Sequence, residues 1–226
     1  MIISIGNSQL KTLISQQVRH NFLLNDTEEI QLLSCLPTAL EKAAKCFLAI
    51  NNKYYISEDG KPKFNPYHSG QYCIFLYFLS RELWLNGNDS LADRVYFLNK
   101  MLNGIDMFYQ IELPEIFFHE HPVGTVLGRA KYSKHFIYAQ NCTVGGNHCA
   151  YPTLGEHVRL FANATVIGNS TLGNNVFVSA GTFIKDQDIP DNTIVFGSSP
   201  NLTLKSRPPE YFAKLSPFGI HHPTAE

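Results

Sequence analysis

The 226-residue sequence carries 18 Lys plus Arg against 19 Asp plus Glu, a formal net charge of -1, with 44% hydrophobic residues. This balance excludes a basic nucleic-acid surface and an acidic tail, and leaves a small molecule or another protein chain as the partner. The length suits one domain, or a small domain joined to a larger one.

The N-terminus, MIISIGNSQLKTLISQQ, has neither the uninterrupted apolar run nor the small-residue cleavage site of a secretory signal. Up to about residue 110 apolar residues recur at three and four, the spacing of helices. Thr38 with Glu41 reads as a capping box ahead of ALEKAAKCFLAI. A loop rich in turn formers, NNKYYISEDGKPKFNPYH, follows. Ser69 then caps a helix through QYCIFLYFLSRELWL that stops at Asn86-Gly87, and LADRVYFLNKML stops at Asn103-Gly104. The first of these is broken by Arg81 and Glu82 and falls short of the roughly 20 residues that span a bilayer. The five cysteines form no CxxC pair, which fits reduced thiols in a cytoplasmic protein.

After residue 112 the period changes. Leu154, Leu160, Val166, Leu172, Val178 and Ile184 stand six apart, and Val158, Ala164, Ser170, Val176 and Thr182 follow the first five by four places. Neither a helix nor an ordinary hairpin has that period; a triangular solenoid does, with one short strand and one corner per hexapeptide and three hexapeptides per turn. Gly and Asn between the aliphatics suit corners that need positive φ. Carried backwards, the frame passes through Cys142, Phe136 and Ala130 to a start near Gly124, and GGNHCAYPT, residues 145 to 153, reads as a loop leaving the solenoid. The division expected is a helical cap over 1–111, a solenoid over 112–200 and a C-terminal loop and tail over 201–226.

Four segments in order on this frame resemble the hexapeptide acyltransferase superfamily, most of all serine acetyltransferase. HPVGTVLG resembles the segment around that family's catalytic histidine, CTVGGN its Val-Thr-Leu-Gly-Gly segment, VSAGTFI its Gly-Ala-Gly-Ser-Val segment, and FGSSPNLTLK its C-terminal Gly-x-Pro loop. The resemblance implies an α+β chain in which an N-terminal α-helical domain precedes a left-handed parallel β-helix. It also implies acetyl-CoA as cosubstrate, no metal, and a homotrimer, or a dimer of trimers, with sites between subunits.

Moving an acetyl group from a thioester to a hydroxyl needs a base, and histidine titrates in the right range. His121 stands at the family's position for it. Two carboxylates are candidates to orient it: Glu112 in IELP resembles the family's orienting aspartate in a Val-Asp-Ile-His-Pro segment, although one hexapeptide is then missing before His121, and Glu120 is assigned to the substrate side. Where that family contacts serine through Arg-His-Pro and Asp-Pro segments, this sequence has Ala150-Tyr151-Pro152 and Asn65-Pro66. Both counter-charges for a zwitterion are gone, which favours a neutral hydroxyl such as a sugar's over L-serine, with His148, His68 and Tyr151 as hydroxyl-binding candidates. The resemblance further implies that Gly146, Ala162, Ala180 and Gly181 border the pantetheine arm and that Ser198 and Lys205 meet the adenosine end. Three rivals stand beside this reading. One is N-acylation of a nucleotide-linked amino sugar. Another is a zinc carbonic anhydrase on the same solenoid, using His119, His121 and His148 or His135 on one face. The last is a non-catalytic scaffold.

Overall fold

The computed structural model describes residues 1–219. It forms two compact units, residues 1–103 together with the segment from Phe218, and residues 104–217.

The first unit contains β1 (Ile2–Ile3), α1 (Gly6–Asn21), α2 (Asp26–Ser34), α3 (Leu36–Leu48), β2 (Lys63–Phe64), α4 (Ser69–Leu85) and α5 (Asp89–Asn103), with β1 and β2 paired in parallel. From Gly70 to Ser80 every residue of α4 is buried, the pattern of a central helix rather than a surface one, and α3 and α5 pack against it. No helix among the described residues is long and apolar enough to cross a membrane. The two stops read from sequence hold: α4 ends before Gly87 and α5 before Gly104, both with positive φ. Two caps differ from expectation. Thr38 lies inside α3, which starts at Leu36 with Pro37 in its first turn, where a missing N–H costs nothing, and the capping box belongs to Asn25 and Glu28 at α2. The cap of α4 is His68 rather than Ser69, its Nδ1 accepting the Gln71 N–H at 3.3 Å.

The second unit is a parallel β-helix. Its turns contain β3 (Asp106–Met107) and β4 (Phe117–His119); β5 (Val126–Leu127), β6 (Lys131–Tyr132) and β7 (Phe136–Tyr138); β8 (Thr143–Gly145), β9 (Thr153–Leu154) and β10 (Arg159–Leu160); β11 (Thr165–Ile167), β12 (Thr171–Leu172) and β13 (Val176–Val178); and finally β14 (Phe183–Lys185) and β15 (Thr193–Ser198). Each strand pairs in parallel with its equivalents one turn away, giving a first face β3-β5-β8-β11-β14, a second β6-β9-β12 and a third β4-β7-β10-β13-β15. All six aliphatics of the repeat frame are at most 1% exposed, and the five residues four places on are buried with them. An antiparallel strand β16 (Asn201–Ser206) folds back on β15, and helix α6 (Pro209–Lys214) follows, its Phe212 ring set edge-on to Phe177 at 4.9 Å.

The β-helix starts earlier than the repeat frame indicated. β3 already pairs with β5, so the division falls at residues 103 and 104 rather than 111 and 112. The first turns hide in part because their interior holds His119 and Tyr138 where the next turns hold Leu160 and Val178. Residues 201–206 and 209–214 of the expected tail are strand and helix, and 220–226 lie outside the described residues.

Close stacking leaves no room at some corners. A Cβ on Gly173 would meet the Asp191 backbone nitrogen at 2.7 Å and its Oδ1 at 2.1 Å, and that oxygen already accepts the Asn174 N–H. Gly173→Ala is therefore expected to cost about 1–3 kcal/mol in denaturant unfolding, the usual range for overpacking.

The corner between the second and third faces is a ladder of left-handed residues, His135, His157, Asn175 and Asn192, with φ of 64, 57, 54 and 56°. The lower pair share an amide hydrogen bond of 2.8 Å, whereas the two imidazoles stack at 4.4 Å. Burial holds both imidazoles below their ordinary value, and His157 and Lys134 push His135 further down against the opposing pull of Glu156. The folded chain then takes up protons later than the unfolded chain as pH falls. The stability this corner provides is complete above about pH 6.5 and declines below it. A His135→Asn, His157→Asn double variant continues the asparagine ladder. Its unfolding midpoint is expected to fall less than the wild type's between pH 8 and pH 5; equal falls would show that the pair does not set acid stability.

Candidate active site

His121 stands where the third face turns into the first. His119 and Thr125 are six residues apart, whereas the equivalent pairs of later turns, Tyr138 and Cys142, Leu160 and Ala164, Val178 and Thr182, are four apart. The equivalence is set by the ladder: Asp106 N–H donates to the Thr125 carbonyl as Val126 does to Cys142, Thr143 to Ala164 and Thr165 to Thr182. The first turn thus carries a two-residue enlargement at this corner, and His121-Pro122 sits in it. Backbone bonds from Val123 to His121 (2.8 Å) and from Thr125 to Pro122 (3.1 Å) fold the enlargement into a tight turn, and a bond from Gly124 to Gly104 (2.8 Å) fixes it to the start of β3. His121 has φ of 51° and is exposed, and its side chain makes no hydrogen bond or ion pair with the described residues. It is a ring held at a rigid corner with both nitrogens open to a ligand.

This geometry removes the two-imidazole face considered for zinc. Because His121 turns left-handed, it does not continue β4, and His119 points into the core, 3% exposed, with Nδ1 3.0 Å from the Tyr138 hydroxyl.

The carboxylates separate by position. Glu120 is half-buried and paired with Arg159 at 2.7 Å, while Arg159 also donates to the Leu215 carbonyl and lies over the Phe161 ring. Its carboxylate is therefore engaged by a cation that is itself tied to Leu215 and Phe161. Glu112 lies between β3 and β4, in a cleft of about 490 Å³ that Asp106, Gln110 and Arg129 also line. Asp106, six residues before Glu112, begins β3 directly across the ladder from Thr125. Ile105-Asp106-Met107 repeats the apolar-acidic-apolar pattern of Ile111-Glu112-Leu113 one hexapeptide earlier, so taking Asp106 as the acidic residue restores the hexapeptide that Glu112 leaves missing. That spacing was the available signal, masked because residues 105–110 read as the end of the helical region.

The remaining candidates divide among three places. Ala162, Ala180 and Gly181 follow His121 down one edge: Asn141 donates to Val123, Asn163 to Gln140 and Gly181 to Ala162, all at 2.9–3.0 Å. Ala180 and Gly181 are exposed, and a Cβ on Gly181 would meet nothing within 4 Å, so this edge offers open backbone. Ser198 ends the same edge, where β15 passes from pairing with β13 to pairing with Phe183, and Lys205 lies on β16 with Nζ over the Phe196 ring. Gly146, His148 and Tyr151 are at the far end of the first face. The loop there closes as a tight hairpin, Asn147 and Ala150 exchanging both backbone bonds at 2.9 Å around His148 and Cys149. Tyr151 covers Gly146, where a Cβ would meet its ring at 2.6 Å, so the bare backbone of Gly146 is filled from its own loop. Asn65 and His68 belong to the first unit: Asn65 accepts from Ser4 and the Tyr67 N–H, and His68 caps α4.

No family model matches the chain. Among solved structures it has the fold of serine acetyltransferases: one in complex with cysteine superposes with a TM-score of 0.68 at 17% identity, covering 93% of this chain and 84% of that one, and one in complex with CoA does so at 0.63 and 16%, covering 87% and 83%. In sequence it is similar to the serine acetyltransferase of Synechococcus elongatus, 30% identical over 105 residues that cover 44% of this chain and 43% of that protein. The chain spans about half the length of the curated relatives it matches.

Proposed function

We propose that the chain is an acetyl-CoA-dependent O-acetyltransferase in which His121 removes the proton of the acceptor hydroxyl as the oxygen attacks the thioester carbonyl, and CoA leaves as a thiol. The observation that carries this reading is an open imidazole on an enlarged corner of a serine acetyltransferase fold. Asp106 is the carboxylate that orients the imidazole and stabilises it once protonated, because it starts the strand to which the His121 turn is bonded. His121 makes no such bond in the unliganded chain; catalytic hydrogen bonds commonly tighten only in the reacting complex. The edge running from His121 past Ala162, Ala180 and Gly181 to Ser198 would hold the pantetheine arm.

The acceptor is a neutral hydroxyl such as that of a sugar, on the ground that Ala150 and Asn65 leave no counter-charge for a zwitterion. L-serine is the second reading, favoured by the names of the relatives. The fold is proposed to wind left-handed and to assemble as a homotrimer in the cytoplasm, the hairpin loop with His148 and Tyr151 meeting the His121 edge of a neighbouring copy. The deciding experiment is CoA thiol release from acetyl-CoA, first with L-serine, then with sugars and nucleotide sugars, beside a light-scattering mass. Turnover only with a sugar supports the acceptor argument; turnover with L-serine refutes it and leaves the chemistry standing. Silence with every acceptor and no CoA binding refutes both.

A further inference from the structure

The interior column of the third face runs His119, Tyr138, Leu160, Val178, Val195. Its lower three members are aliphatic and fully buried, as a solenoid interior requires; the upper two are polar and equally buried, at 3% and 0% exposure. The Tyr138 hydroxyl lies 3.0 Å from His119 Nδ1 and 3.0 Å from Met107 Sδ. Met107 is itself an interior residue of the first face and follows Asp106. His119 is two residues before His121. One hydroxyl thus touches both strands that border the enlarged corner: β4, which leads into His121, and β3, which starts with Asp106. The hydroxyl has a single hydrogen, so a His119 protonated on Nδ1 leaves it for Met107, and a His119 protonated on Nε2 accepts it. Polar groups so deep in a core are costly unless paired, and an aliphatic at each position would complete the column without that cost.

We propose that Tyr138 is a positioning residue for His121: its hydroxyl, seated between His119 and Met107, sets the spacing of β4 against β3 and so the reach from His121 to Asp106. This rests on the reading of His121 as base and Asp106 as its carboxylate. It adds a requirement that the repeat pattern does not contain, because nothing in a solenoid core calls for a tyrosine-histidine pair. Glu120, the other charge beside His121, is held away by Arg159 and does not substitute.

The test is Tyr138→Phe, which keeps the ring and removes only the hydroxyl, together with a His119→Leu, Tyr138→Phe double variant that makes the column apolar throughout. Two readouts are needed: kcat against KM for acetyl transfer, and the unfolding midpoint of the same preparations. Both variants are expected to lose about 10- to 100-fold in kcat, as small misplacements of a catalytic group do, with the KM for acetyl-CoA within about twofold. The double variant should be at least as resistant to unfolding as the wild type, which separates positioning from stability. An active wild type beside a Tyr138→Phe variant of equal kcat overturns the proposal alone. A wild-type chain that transfers no acetyl group overturns the reading of His121 as base and the proposal with it.

Discussion

His121→Asn is expected to lower acetyl transfer by about 10²- to 10⁴-fold, the range a positioned general base contributes, while the unfolding midpoint stays within a few degrees of wild type. Asparagine is the informative replacement because of the backbone. His121 has φ of 51°, and at four other left-handed corners of this β-helix, residues 141, 163, 175 and 192, the chain already uses asparagine with φ between 54 and 62°. Alanine at the same φ would add backbone strain, and a lost activity could then be blamed on a disturbed corner. Asparagine keeps the turn bonded to Gly104 and removes only the base. Thiol release and thermal unfolding on the same preparation decide the matter. An asparagine variant within about threefold of wild type would mean that another group takes the proton, and the assignment of His121 would fall.

The β-helix was legible because its interior demands one residue type at a fixed interval: from Leu154 to Ile184 each frame position is an aliphatic with at most 1% exposure, and packing in a stack this regular permits little else. The same dependence explains where legibility stopped. The loop between Val144 and Leu154 adds four residues to its turn, so a frame carried backwards at strict sixes selects Cys142, Phe136 and Ala130 where the ladder places Val144, Tyr138 and Tyr132 level with Val166, Leu160 and Leu154; beyond that, the corner between His119 and Thr125 is two residues longer than its equivalents. The candidate site was readable only in part for a related reason. Ala162, Ala180 and Gly181 fall on one edge because the repeat itself puts them there, whereas Gly146 faces Tyr151 through a local hairpin whose fold no periodicity encodes. Glu112 was preferred for its resemblance to a motif, whereas Asp106, one hexapeptide earlier, is the acidic residue that starts a strand bonded to the His121 turn.

Asp106→Asn is expected to reduce kcat by about 10²-fold or more, and Glu112→Gln to leave it within about twofold. A base that must hold one orientation and stabilise a developing positive charge loses most of its advantage when its carboxylate becomes an amide. The change is nearly isosteric, and the backbone N–H of Asp106 donates to the Thr125 carbonyl whatever the side chain, which holds β3 beside β5 in the variant. A reversed result, with Glu112→Gln crippled and Asp106→Asn active, would make Glu112 the carboxylate that acts with His121, and the assignment of Asp106 would fall.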